Sequence, residues 1–172
     1  YRLMSHLLHS QDLYNGINDV LKEAMEKLEG DRAFIFSYDY DNKVQDCIYE
    51  VVSDSGLAEI EQLQGVPFDA TPWWNEQIMS DVPIVIHRLK DLPPQASSEY
   101  EILNGQNIKS ILVAPLLING TIWGYVGIDF VKDYDSRWSM KASNNAWNAE
   151  MQNQNGKAHL YLNYTAVREA NI

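Results

Sequence analysis

The chain has 172 residues and a mass of 19.7 kDa, with 45% apolar and 22% charged residues, which fits one domain and leaves little room for two. Leu, Ile, Val and Phe number 16, 14, 11 and 4, about 26% of the chain, so a sizeable core is available and a disordered chain is excluded. The formal net charge of −11, with no basic patch against it, argues against a nucleic-acid partner. No apolar run approaches the roughly 18 residues that cross a bilayer, so no membrane span is expected. The N-terminus has no basic segment leading into an apolar stretch and cleavage site. Cys47 is alone and can form no internal disulfide, so a reducing, cytoplasmic location is expected.

Leu13, Ile17, Val20, Leu21, Ala24 and Leu28 recur at helical spacing. They predict an amphipathic helix capped by Asp12 and stopped by Gly30. Leu3, Leu7 and Leu8 form a shorter apolar segment before it, an N-terminal helical piece over 1–11. Residues 32–40, RAFIFSYDY, switch to β-branched and aromatic content, and Asp41, Asn42 and Lys43 separate them from VQDCIYEVVSD, which predicts a hairpin.

Residues 55–81 have no clear period of two, but TPWWNEQIMSD begins with Thr71 as an N-cap and Pro72 at the first helical position, and predicts a short helix. PIVIHRL is the next strand and QASSEYEILNGQ the next helix, ended by Asn104 and Gly105. SILVAPLLI and TIWGYVGIDFV flank Asn119-Gly120, a pair that adopts the positive φ angles of a tight hairpin turn. The first of these strands is almost continuously apolar, so both faces of the sheet must be covered.

Past Trp138 the acidity ends. Residues 139–172 hold three basic and two acidic residues, a net of +1, against −12 for the preceding 138 residues. Ser139 can cap a last helix with Met140, Trp147 and Met151 near one face, while KAHLYLNYTAV reads equally as helix or strand. Hairpins without βαβ spacing give the fold class: α+β, an antiparallel sheet with helices covering it.

In this order the chain resembles the GAF family of small sensory modules. The resemblance runs over about residues 12–139, between the N-terminal piece and a connecting segment over 140–172. It rests on Asp31-Arg32-Ala33, Gln64-Gly65-Val66-Pro67, Trp73-Trp74, Pro83-Ile84-Val85-Ile86 and Asp91-Leu92-Pro93-Pro94. Its strongest portion is Ile108-Lys109-Ser110 through Pro115-Leu116, Asn119-Gly120, Trp123-Gly124 and Gly127. Modules of bacterial sensor proteins look most similar. The resemblance implies terminal helices on one face of the sheet and, on the other, a pocket under crossing segments at 55–81 and 87–107.

Within that frame, Trp73 and Trp74 offer planar faces and indole donors to a ligand, or else plug and shield the core. Tyr100 on the following helix can join them. By the period of two, Thr121, Trp123, Tyr125, Gly127 and Asp129 share one face of the last hairpin strand. Tyr125 and Asp129 would line a pocket there, with Gly127 leaving room for the ligand, and Asp129 would need donors. Arg88, beside His87 at a strand end, could recognise an anion.

His6 and His9 lack a third ligand, so neither a metal nor a cofactor is expected. Cys47 reads as a small buried residue, its surroundings unlike the Cys-His attachment site of bilin-binding relatives, and one cysteine disfavours thiol-relay reductase chemistry. Asn42-Lys43 alone does not make the cyclic-nucleotide signature of the family. No phosphate loop or nucleophile elbow appears, so catalysis is not expected. The leading expectation is a non-catalytic regulatory module of a two-component-type signal-transduction protein. It would bind an unknown small molecule and act through its terminal helices on an output domain. The alternative is a ligand-free structural module that forms a homodimer through those helices.

Overall fold

In a computed structural model, the structure describes residues 11–54, 58–132, 148–154 and 157–163. Helix α1 (Gln11–Leu28) is followed by strands β1 (Arg32–Asp39), β2 (Val44–Val52) and the short β3 (Val66–Pro67). Helix α2 (Pro72–Met79), strand β4 (Ile84–Ile86) and helix α3 (Ser97–Gly105) come next, then β5 (Ser110–Ile118), β6 (Thr121–Phe130), β7 (Asn148–Gln154) and β8 (Lys157–Asn163). The strands form one sheet in the order β3-β2-β1-β6-β5-β7-β8, with β4 beside the first half of β5. All pairs are antiparallel except β5–β7, where Leu116–Ile118 run parallel to Ala149–Met151.

The α1 stripe behaves as its spacing predicts: Ile17, Leu21, Ala24 and Leu28 are buried against the sheet, joined by Met25. Asp12 falls inside the helix rather than at its cap. The stop is made one residue early, because Glu29 takes the left-handed conformation (φ 58°) while Gly30 is wedged where a Cβ would lie 2.4 Å from Ile128 Cγ2. The Asn119-Gly120 turn has both residues at positive φ (52° and 78°), as a type I′ turn requires. The leucine segment near residue 7, His6, His9 and the stretch from Ser139 to Trp147 lie outside the described residues.

Two bulges set which side chains face which way. On β6 the register shifts opposite Leu116/Leu117, so Trp123 turns to the α1 face while Ile122 and Tyr125 pack on the other. The single alternating face expected for Thr121 through Asp129 is therefore broken at Trp123. On β2 a shift opposite Ile35/Phe36 puts Cys47 and Tyr49, two residues apart, on opposite faces. Met151, expected on a last helix, sits instead in β7, buried with Ala149 and Leu160 against the α1 core. Backbone pairing to β5 and β8 decides that stretch, against a weak helical pattern. No helix among the described residues is long and apolar enough to cross a membrane.

Candidate functional site

The sheet face opposite α1 is covered by α2, α3 and the turns between β2 and β5. Beneath that cover lies a cavity of about 230 Å³. Its floor is built by period-two positions of β1, namely Arg32, Phe34 and Phe36, with Gln45 of β2, Ile111 of β5 and Tyr125 of β6. Leu63, Val66, Thr71, Trp74, Glu99 and Leu103 form the roof, and Ile102 on α3 and Gln106 just after it flank it. Ile102 is exposed and marks the outer rim.

The floor is aromatic. Phe36 and Tyr125 stack with centroids 4.9 Å apart, Trp74 meets Tyr125 edge-on at 5.9 Å, and Phe34 lies edge-on to Phe36 at 5.6 Å. Polar groups on it are mostly committed to one another. The Tyr125 hydroxyl donates to Gln45 Oε1, and Gln45 Nε2 donates to Thr71 Oγ1 at 2.9 Å. Tyr38 donates to Asn75 Oδ1 at 2.8 Å. Thr71 precedes α2 as expected, but its hydroxyl accepts from Gln45 and Asn75 instead of capping the helix. Burial pushes the Tyr125 and Tyr38 hydroxyls well above their ordinary ionisation range.

At one end of the floor sits a buried charge cluster. Arg32 Nε is 2.9 Å from Asp129 Oδ2, its neighbour across the β1–β6 ladder, and Nη1 is 3.5 Å from Glu50 Oε2. The guanidinium also covers the Phe34 ring at 4.7 Å. Glu50 accepts in addition from the backbone N–H groups of Glu59 (2.9 Å) and Ile60 (3.4 Å). Two carboxylates thus share one guanidinium out of water. Burial pushes Asp129 up to about 7, with Arg32 opposing and Asp31 and Glu50 reinforcing the rise. The main chain of Asp129 accepts from Asp31 N at 2.9 Å, tying the cluster to the turn that follows α1.

The roof contributes a second buried acid. Glu99 is 1% exposed, and its Oε2 accepts from the backbone N–H of Trp74 at 3.0 Å. Its Oε1 is buried with no hydrogen-bond partner, and no described cation forms a salt bridge with it. Trp74 N belongs to the first turn of α2, whose free amides welcome a carboxylate.

Of the residues singled out in the sequence, Trp74 and Tyr125 line the cavity. Asp129 stands behind the lining and holds Arg32. Gly127 serves the floor differently from the expectation: a Cβ there would lie 2.4 Å from the Phe34 ring, so the missing side chain makes room for Phe34 rather than for a ligand. Trp73 is half-buried among the roof hydrophobics and outside the lining, Tyr100 is 37% exposed, and Arg88 is exposed on the turn after β4. Neighbouring helix positions point about 100° apart, which separates Trp73 from Trp74 and Tyr100 from Glu99. Cys47 is buried, its Sγ donating to the Tyr49 carbonyl, and burial pushes the thiol up to about 12.

Arg32, Gln45 and Glu99 were not singled out. Arg32 shares the period-two face of Phe34 and Phe36, and Ala96, Glu99 and Leu103 recur at i, i+3, i+7, so both placements had a local signal. Among the described residues no group of three or more His, Cys, Asp or Glu is arranged to hold a metal ion.

Known proteins are similar to this chain in sequence and in fold. The chain is 32% identical over 127 residues to the methanogenesis regulatory histidine kinase FilI of Methanothrix harundinacea, covering 72% of this chain and 14% of that protein. It therefore spans about a seventh of that curated relative. Among solved structures it resembles the phycocyanobilin-bound GAF domain of a cyanobacterial phytochrome, with 21% identity, a TM-score of 0.59 and coverage of 78% and 79% of the two chains. It also resembles the blue-light absorbing form of the Thermosynechococcus elongatus PixJ GAF domain, with 17% identity, a TM-score of 0.59 and coverage of 73% of each chain. The GAF domain family matches residues 13–143, about three quarters of the chain, and this protein belongs to that family.

Proposed function

We propose that this chain is the non-catalytic, small-molecule-binding module of a signal-transduction protein. The observation that carries the reading is the contrast in packing. One face of this sheet is closed by α1, whereas the other holds a pocket of about 230 Å³ beneath a cover of short helices, opening past the exposed Ile102. Glu99, a lining residue, has a buried carboxylate oxygen with no partner among the described residues, which suits a space filled by a ligand. Membership of a sensory family, and similarity to part of a regulatory histidine kinase, support the same role.

Ligand size follows from the volume. A cavity of about 150 Å³ accepts benzene, so 230 Å³ suits a molecule of one or two rings. A linear tetrapyrrole such as phycocyanobilin needs several times that, and Cys47, buried with a protonated thiol, is a poor point of attachment. The output runs through the sheet. Arg32 faces the cavity while Ala33 and Ile35 pack on α1, and Asp129 joins Arg32 through its side chain to the post-α1 turn through its carbonyl. A ligand that binds one arrangement of this unit better shifts α1 by that difference in affinity.

Dimerisation through α1 is less well supported. From Gly16 to Leu28 the exposed positions include Asp19, Lys22, Glu23, Glu26 and Lys27, charges of mixed sign with i,i+4 pairs and no apolar seam. Calorimetric screening of one- and two-ring compounds tests the proposal. Saturable binding that disappears in a folded Trp74→Ala variant is expected, and binding indifferent to that change would reject the cavity as the site.

A further inference from the structure

Building on the ligand-binding reading, we infer that the cavity selects a small organic cation, a protonated arylalkylamine or an aryl amidine whose N–H groups are received by the Glu99 carboxylate. Glu99 is a lining residue, nine-tenths buried and more; one of its oxygens is held by Trp74 N, and the other is buried with no partner among the described residues. An isolated buried carboxylate is costly, and a donor that also carries positive charge compensates it best.

Among the described residues none supplies that charge to Glu99. Arg32, the cationic side chain of the lining, is held by Asp129 and Glu50, two acids for one guanidinium. The lining and the side chains behind it thus hold three carboxyl groups, Glu50, Asp129 and Glu99, against the one guanidinium of Arg32. The aromatic floor points the same way. Phe36 and Tyr125 on the floor and Trp74 in the roof line the cavity, and the negative faces of such rings attract a cation desolvated among them, whereas the Phe34 face is already taken by Arg32. An anionic ligand would meet Glu99 with like charge and find Arg32 already engaged.

Three nearly isosteric probes separate charge from shape: benzamidine, benzamide and benzoate, measured by calorimetry and ligand-observed NMR at neutral pH. Benzamidine is expected to bind roughly tenfold or more tightly than benzamide, and benzoate more weakly than both. Glu99→Gln, which keeps an acceptor for Trp74 N, is expected to erase the preference for benzamidine over benzamide while the ring itself still binds. Benzamide or benzoate binding as well as benzamidine to the unaltered protein would overturn the inference without touching the ligand-binding reading. So would a preference that survives Glu99→Gln. Failure of all three probes and of every one- or two-ring compound in the screen would overturn both.

Discussion

On the α1 side of the sheet, Leu21, Ala24, Ile35, Leu112, Val126 and Ile128 close on one another with almost no exposure, as a helix stripe laid on strands should. Across the same strands, a few ångströms away, short helices rest on aromatic rings, a buried ion cluster and open space. Both sides are covered by the same amount of chain only in a loose sense: one cover is a regular five-turn helix, the other is built from two helices of 8 and 9 residues and several turns. Regular packing maximises apolar burial and leaves no room for a guest. Irregular cover gives up some burial and keeps a space that polar groups can address. The first side accounts for stability, and the second holds the proposed binding site.

That contrast can be broken at the ion cluster, where the effect is largest. Arg32→Met leaves Glu50 and Asp129 buried without their common partner and should cost about 3–5 kcal/mol in urea denaturation. A loss below 1 kcal/mol would mean that water reaches the cluster. On the solid side, Leu21→Ala should cost about 3 kcal/mol, because α1 lies rigidly on the sheet and the site cannot collapse. Leu103→Ala, on the cavity roof, should cost clearly less than Leu21→Ala, since it only widens a space already present. Equal costs at the two positions would erase the distinction between the faces.

The pH dependence gives a further handle. The folded Asp129 carboxyl titrates near 7, well above its ordinary value of 3.8, so the folded state holds a proton that the unfolded state releases between those values. Its contribution to stability is therefore fully present below pH 3.8, falls as pH rises toward 7, and is constant above. The Asp129→Asn variant should gain on the unaltered protein over that window, by on the order of 2 kcal/mol given that neighbouring acids share the proton. Denaturation midpoints at several pH values check it, and a gap that stays flat from pH 4 to 7 would rule it out. The smallest effect belongs to the outer face of α1. Lys22→Ala removes an exposed i,i+4 pair of 3.9 Å and should change stability by less than about 0.5 kcal/mol.

Much of the scaffold is legible in the sequence. The α1 stripe, the Pro72-led helix, the Asn119-Gly120 hairpin and the need for cover on both faces of β5 all follow from side-chain period and turn chemistry, which act between residues close in the chain. The candidate site was legible in part. Trp74 and Tyr125 stand out as large aromatics, whereas Glu99 carries no such mark, because a charged residue on a helix is ordinarily solvated.

What the sequence by itself determined is the inventory: the amphipathic helix, the strands that must be buried on both sides, and the family order that joins them. Only the tertiary structure decided that Trp123 and Tyr125 part company at a bulge, that Gly127 yields its space to Phe34, that Met151 lies in a strand parallel to β5, and that Arg32, Glu50 and Asp129 meet. The reason is range. Periodicity and turn preference are energies of neighbours along the chain, while register, close approach and the pairing of buried charges are settled between segments tens of residues apart, where a single extra residue turns a side chain to the opposite face.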